Sequence, residues 1–134
     1  MKSKKMTFKE LDNLSEKVSK YLENGGCIGL IGDLGVGKTT FTKKICDYYR
    51  VKENVKSPTF TYVIEYVSGD KKIYHFDAYR IKNSEEIYEI GFEDYIGQED
   101  AIIIVEWANN ILEEMPYDTL YIDIEYDSEN TRKV

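Results

Sequence analysis

Positive charge is what this chain most lacks. Its 18 lysines and arginines are outnumbered by 25 acidic residues, giving a net charge of −7. Such a surface does not hold nucleic acid non-specifically, so any role on RNA or DNA requires a partner that supplies the basic face. Arginine is scarcer still, with Arg50, Arg80 and Arg132 set against 15 lysines. Enzymes that phosphorylate small molecules clamp phosphoryl groups with several arginines, and three scattered ones speak against that chemistry. Cys27 and Cys46 lie far apart with no C-x-x-C. They read as small buried hydrophobes in a reducing compartment, without a metal or redox role. His75, the only histidine, cannot make a metal site alone and reads as a hydrogen-bonded strand residue. No apolar run approaches the roughly twenty residues of a membrane span, and no secretory h-region is present. A soluble, cytoplasmic protein without membrane contact is therefore expected. No repeat or low-complexity segment appears, and 134 residues with 42% hydrophobic content suit one domain, residues 1–134.

What is present centres on one stretch. Cys27 to Ile31 is an apolar run, followed at once by Gly32-Asp33-Leu34-Gly35-Val36-Gly37-Lys38-Thr39. This is G-x-x-x-x-G-K-T between a predicted strand and a predicted helix, the context a phosphate-binding loop requires. Glycines let successive N–H groups approach a polyphosphate, and the helix adds its positive dipole end. In such a loop Lys38 reaches the β- and γ-phosphates and the Thr39 hydroxyl holds Mg²⁺. The stretch predicts binding of a nucleoside triphosphate.

Around it the chain alternates helix and strand signals. Lys2, Lys4 and Lys5 read as a solvated tail. Thr7 and Glu10 have the spacing of a capping box. The helix they open places Leu11, Leu14, Val18, Tyr21 and Leu22 on one face and ends at Asn24-Gly25-Gly26. A helix from about Lys38 to Tyr49 turns Phe41, Ile45 and Tyr48 inward. Pro58 biases Ser57 to an extended shape, and strands follow over Thr61 to Tyr66 and Lys72 to Tyr79. The hydroxyls of Ser57, Thr59 and Thr61 fit two readings equally, a γ-phosphate-sensing switch or an ordinary strand entrance. Alternation puts His75, Asp77 and Tyr79 on one side of their strand. A carboxylate there needs a partner, either a Mg²⁺–water cluster or a basic side chain. Asn83 to Glu86 starts a helix that Gly91 closes. Asp94-Tyr95-Ile96-Gly97 matches the D-x-x-G of GTPases by chance, since no N-K-x-D exists in the chain. Ala101 to Val105 is the most apolar run and predicts a strand buried on both faces of a mostly parallel sheet. It ends in Glu106, the position from which an acidic residue orients the Mg²⁺ shell beside a phosphate loop. Trp107 fits either the core or a partner-facing surface. A short helix runs to Met115-Pro116. Asp118 to Tyr126 reads as a one-sided antiparallel or edge strand, and residues 131–134 as a last strand cut short.

Taken in order, Gly32 to Phe41, Ser57-Pro58-Thr59-Phe60-Thr61, His75-Phe76-Asp77-Ala78-Tyr79-Arg80 and Glu106-Trp107 resemble the motifs of the TsaE family. The resemblance spans nearly the whole chain. It implies an α/β fold, a P-loop NTPase-like three-layer α/β/α sandwich whose mostly parallel central sheet has antiparallel edge strands. It further implies ATP and Mg²⁺ as ligands, ATP hydrolysis, and a role in placing threonylcarbamoyl on adenosine 37 of tRNA. TsaB- and TsaD-type proteins would be its partners, and tRNA would be met only through them. By resemblance, Asp33, Leu34, Gly35, Val36, Gly37, Lys38, Thr39 and Thr40 hold the phosphates. Thr39 and Glu106 lie at Mg²⁺, and Asp77 supports the metal or the attacking water, so Lys38, Asp77 and Glu106 form the catalytic set. Ser57, Pro58, Thr59 and Thr61, with Trp107, form the switch and partner face, Thr59 also touching nucleotide. The base lies near Thr7 and Phe8, closed over by Arg132. The rivals are a small-molecule kinase on the same fold and a nucleotide-dependent interaction switch with little turnover.

Overall fold

The computed structural model describes residues 4–33, 35–55, 62–69, 71–83, 85–129 and 131–134. Five strands form the central sheet: β2 (Gly26–Ile31), β3 (Val63–Ser68), β4 (Lys71–Asp77), β5 (Ile102–Glu106) and β6 (Leu120–Asp123). Their order is β3-β4-β5-β2-β6. β4, β5, β2 and β6 run parallel, and β3 returns antiparallel along β4.

Alternation along the buried strands sorts the core into two layers. Ile28, Leu30, Ile73, Ile102 and Ile104 pack on one face with Val18 of α1 (Phe8–Tyr21), Leu22 just after it, and Phe41 and Ile45 of α2 (Lys38–Tyr48). Cys27, Tyr74, Phe76, Ile103 and Val105 pack on the other. That face is covered by α3 (Glu86–Glu89), α4 (Phe92–Ile96) and a 3-10 segment, Ala108–Glu114. Phe76 meets Phe92 edge-on at 5.0 Å between ring centroids. A helix layer on each side of a mostly parallel sheet is the three-layer α/β architecture expected.

Local chemistry explains the helix limits. The Thr7 hydroxyl accepts from Glu10 N at 3.2 Å while Glu10 Oε1 accepts from Thr7 N at 3.1 Å. This reciprocal cap supplies donors that the first turn otherwise leaves unpaired. α2 begins instead at Gly37 with φ +112°, a left-handed geometry that only glycine adopts without strain. Burial pushes the Cys27 and Cys46 thiols up to about 12, as small core residues.

Several expectations are corrected. Lys5 is not tail: β1 (Lys5–Thr7) pairs antiparallel with β8 (Thr131–Lys133), which pairs with β7 (Glu125–Ser128). In this second, three-stranded sheet the β1–β8 pairing joins residues over 120 positions apart, which local pattern cannot announce. The strand expected over Asp118 to Tyr126 breaks at Ile124 into β6 and β7, and β6 is an edge strand but parallel to β2. Tyr21 and Tyr48, expected inward, are exposed. Both fall beside the buried stripe, which near the helix ends passes through Leu22 and Cys46 instead. Ser15, Ser19, Thr42 and Cys46 fill the inner faces. Ser15 and Ser19 spend their hydroxyls on helix carbonyls at 2.7 Å. Residues 94–97, set aside as a chance motif, fall on and just after α4.

Candidate nucleotide site

The site is assembled where the parallel strands end. On the face toward α2, the apolar series Ile73, then Ile102 and Ile104, gives way at its C-terminal end to His75, Asp77 and Glu106. In a parallel sheet this end opens into the crevice where ligands bind. Asp77 and Glu106 stand side by side in the β4–β5 register. Both are buried, so each carboxylate must have donors or a cation nearby.

Thr39, in the first turn of α2, supplies one donor. Its hydroxyl lies 3.0 Å from Glu106 Oε1 and 3.2 Å from Oε2. His75 Nε2 supplies the other, on Oε2. Asp77 Oδ1 accepts from Tyr79 N at 2.8 Å, and Ala78 N donates to the Glu106 carbonyl at 3.0 Å. These bonds stitch the ends of β4 and β5 together and hold the carboxylates toward the loop.

Lys38 is folded back over that loop. Its Nζ donates to the carbonyls of Gly32 and Asp33, the latter at 3.0 Å, and stands 4.2 Å from the centre of the Trp107 ring. Burial lowers its pKa, opposed by the carboxylates of Glu106, Asp77 and Asp33. Trp107 takes left-handed backbone geometry at φ +58° and packs on Tyr79, ring centroids 4.9 Å apart. It is half-buried and packs against the second core layer.

Two cavities flank the loop. One, about 640 Å³, is lined by Asp33, Gly35, Val36 and Trp107 with Asp123 and Glu125. The other, about 370 Å³, is bounded by Phe8, Gly37, Thr40, Phe41, Lys44 and Arg132. Arg132 crosses from β8 and donates through Nε to the Val36 carbonyl at 3.1 Å. Its guanidinium stands 5.2 Å from the Phe8 ring and 4.9 Å from the Tyr126 ring. Thr7 lies beside this cavity in sequence, but its hydroxyl is taken by the helix cap.

The structure therefore brings Lys38, Thr39, Asp77, Glu106 and Trp107 together, and sets Val36, Gly37, Thr40, Phe8 and Arg132 around the second cavity. Leu34, Ser57, Pro58, Thr59 and Thr61 lie outside the described residues. Three participants were not read from sequence: His75 as the partner of Glu106, Tyr79 beneath Trp107, and Tyr126 beside Arg132. The alternation that places His75 and Asp77 on one face is the only signal that pointed to the first.

This arrangement has relatives. Residues 6–134 match the family described as "Threonylcarbamoyl adenosine biosynthesis protein TsaE". The chain belongs to the TsaE family. It is 35% identical over 126 residues to the tRNA threonylcarbamoyladenosine biosynthesis protein TsaE of Bacillus subtilis, covering 93% of this chain and 77% of that protein. The TsaE of Haemophilus influenzae is 39% identical over 106 residues, 79% of this chain and 66% of its own length. In three dimensions the chain resembles the crystal structure of Bacillus subtilis YdiB, with a TM-score of 0.77 at 30% identity. That match covers 98% of this chain and 82% of YdiB. TsaE membership and this fold make the protein one of P-loop NTPase type. Among the described residues, no helix is long and apolar enough to cross a membrane.

Proposed function

We propose that this protein is a single-domain, Mg²⁺-dependent ATPase that serves threonylcarbamoylation of adenosine 37 in tRNA, acting on TsaB- and TsaD-type partners in the cytoplasm. The observation that carries the proposal is the contact of Thr39, at the head of the phosphate loop helix, with Glu106, at the end of a buried parallel strand. The net charge of −7 supports a division of labour in which the partners hold the tRNA.

Each side chain has a task in this reading. The N–H groups of residues 35–39 and the dipole of α2 receive the phosphates. Lys38 exchanges the carbonyls of Gly32 and Asp33 for β- and γ-phosphate oxygens, so its hydrogen bonds are replaced and not lost. Thr39, Glu106 and Asp77 offer hard oxygen donors, the chemistry Mg²⁺ selects. No cluster of three or more His, Cys, Asp or Glu suited to a metal exists among the described residues. Mg²⁺ is held by one or two carboxylates together with the phosphates themselves, and Glu106 and Asp77 are the carboxylates here. When bound, the ion neutralises charge on the phosphates. Asp77 supports the metal or the attacking water. Phe8 and Arg132 flank the base, and Trp107 with residues 57–61 faces the partners.

The test is ATP hydrolysis by the chain alone, and then with the partner pair and tRNA, in Mg²⁺ and in EDTA. Turnover that needs Mg²⁺ and rises strongly with partners is expected. Turnover unaffected by the partners removes the tRNA-modification role and leaves the nucleotide site, whereas no turnover in any mixture leaves only an interaction switch.

A further inference from the structure

His75 is wholly buried, on β4 two residues before Asp77. Its Nε2 contacts Glu106 Oε2. An ionised carboxylate only accepts hydrogen bonds, so Nε2 must carry the hydrogen. The other ring nitrogen, Nδ1, is buried and has no hydrogen-bond partner among the described residues. Among those residues the ring is thus committed to a single polar contact, and that contact is Glu106.

Among the described residues Glu106 has one more side-chain donor, the Thr39 hydroxyl, which is shared between both carboxylate oxygens. Thr39 belongs to the nucleotide loop and α2, and its oxygen is wanted elsewhere when the site fills. His75 belongs to the sheet, two residues along β4 from the Asp77–Glu106 register pair. Its grip on Oε2 does not depend on the loop. A carboxylate held by a donor on a rigid element keeps its orientation when ligands change, as outer-shell partners of metal ligands do.

From this geometry we infer that His75 is a positioning residue: its Nε2–H locks the Glu106 carboxylate toward Thr39 and presets the site for Mg²⁺. The inference rests on the ATPase reading for its purpose, while the contact itself can be measured without nucleotide.

Two measurements on the full chain decide it. His75 is the only histidine, so its imidazole ¹⁵N resonances are unambiguous. A hydrogen on Nε2 is expected, with a resonance displaced in Glu106→Gln. A hydrogen on Nδ1 alone, or a resonance that ignores Glu106→Gln, overturns the inference. In the second, Mg²⁺ is titrated into protein with ATP and followed through Trp107, the single tryptophan. His75→Leu, which fills the space without a donor, is expected to weaken the Mg²⁺ midpoint on the order of ten- to a hundredfold. It should leave ATP binding in EDTA unchanged. His75→Gln restores a side-chain N–H donor and should recover most of the midpoint. Equal midpoints in wild type, Leu and Gln overturn the inference. If His75→Leu does not fold, the Gln variant and Glu106→Gln carry the test. Wild type that never responds to ATP is instead a failure of the ATPase reading, and the resonance measurement then decides His75 by itself.

Discussion

The Thr39 hydroxyl lies within 3.0 and 3.2 Å of the two Glu106 oxygens although 67 positions separate the residues. One stands in the first turn of the helix after the phosphate loop, the other at the end of the most apolar strand. Their meeting follows from β2 and β5 being parallel neighbours.

Glu106→Gln tests what that meeting is for. The substitution keeps the shape and removes the charge. ATP binding in EDTA should persist, while Mg²⁺-dependent turnover should fall on the order of a hundredfold, the typical loss of one preorganised electrostatic contact. Steady-state hydrolysis across a Mg²⁺ series checks it. Unchanged turnover removes Glu106 from the metal site.

Lys38 should make ATP binding dependent on pH in the alkaline range. Burial lowers its pKa from the usual lysine value, so the free protein loses this charge at lower pH than an ordinary lysine does. Phosphate favours the charged form, so binding takes up a proton where free Lys38 has lost it. Affinity should therefore weaken as pH rises, beginning below 10.5. Calorimetry in buffers of different ionisation enthalpy measures that proton uptake. Lys38→Met should bind more weakly and show no such step.

Gly32→Ala probes the closest backbone approach at the loop. A Cβ there would lie 2.3 Å from the Ile124 carbonyl oxygen, at φ +154°. A loss of about 3 kcal/mol in urea unfolding is expected, because backbone must shift on both sides. A Cβ at Gly35 would meet no atom of the described residues within 4 Å, and φ is +81°, so only conformational strain of about 1 kcal/mol is expected there.

The expected layers were legible because they are written locally. The apolar run over residues 101–105 became a strand buried on both faces, and the Thr7–Glu10 spacing became a reciprocal cap. The contact of His75 with Glu106 was not legible, since it requires knowing that β4 and β5 are adjacent and parallel. Alternation gave the face of His75 without giving the neighbour. The β1–β8 pairing was hidden for the same reason, with three residues on each side and nearly the whole chain between them. The family resemblance likewise set Arg132 beside Phe8 without showing that Tyr126 completes its aromatic bracket.

Arg132→Ala should loosen that bracket. The guanidinium joins Phe8, Tyr126 and the Val36 carbonyl, so its loss removes about 1 kcal/mol of cation–π contact and a loop hydrogen bond. ATP affinity should fall roughly tenfold, measured by equilibrium binding, with hydrolysis at saturating ATP little altered. Unchanged affinity places the base elsewhere.

Lys4 and Val134 exchange backbone hydrogen bonds at 2.7 and 2.9 Å, and Arg132 lies two positions from that clasp. Opening that clasp would therefore free the strand that carries Arg132. A dye fixed at position 134 would stand in the groove lined by Lys4, Leu14, Val18 and Leu120 and serve as an optical reporter of that opening.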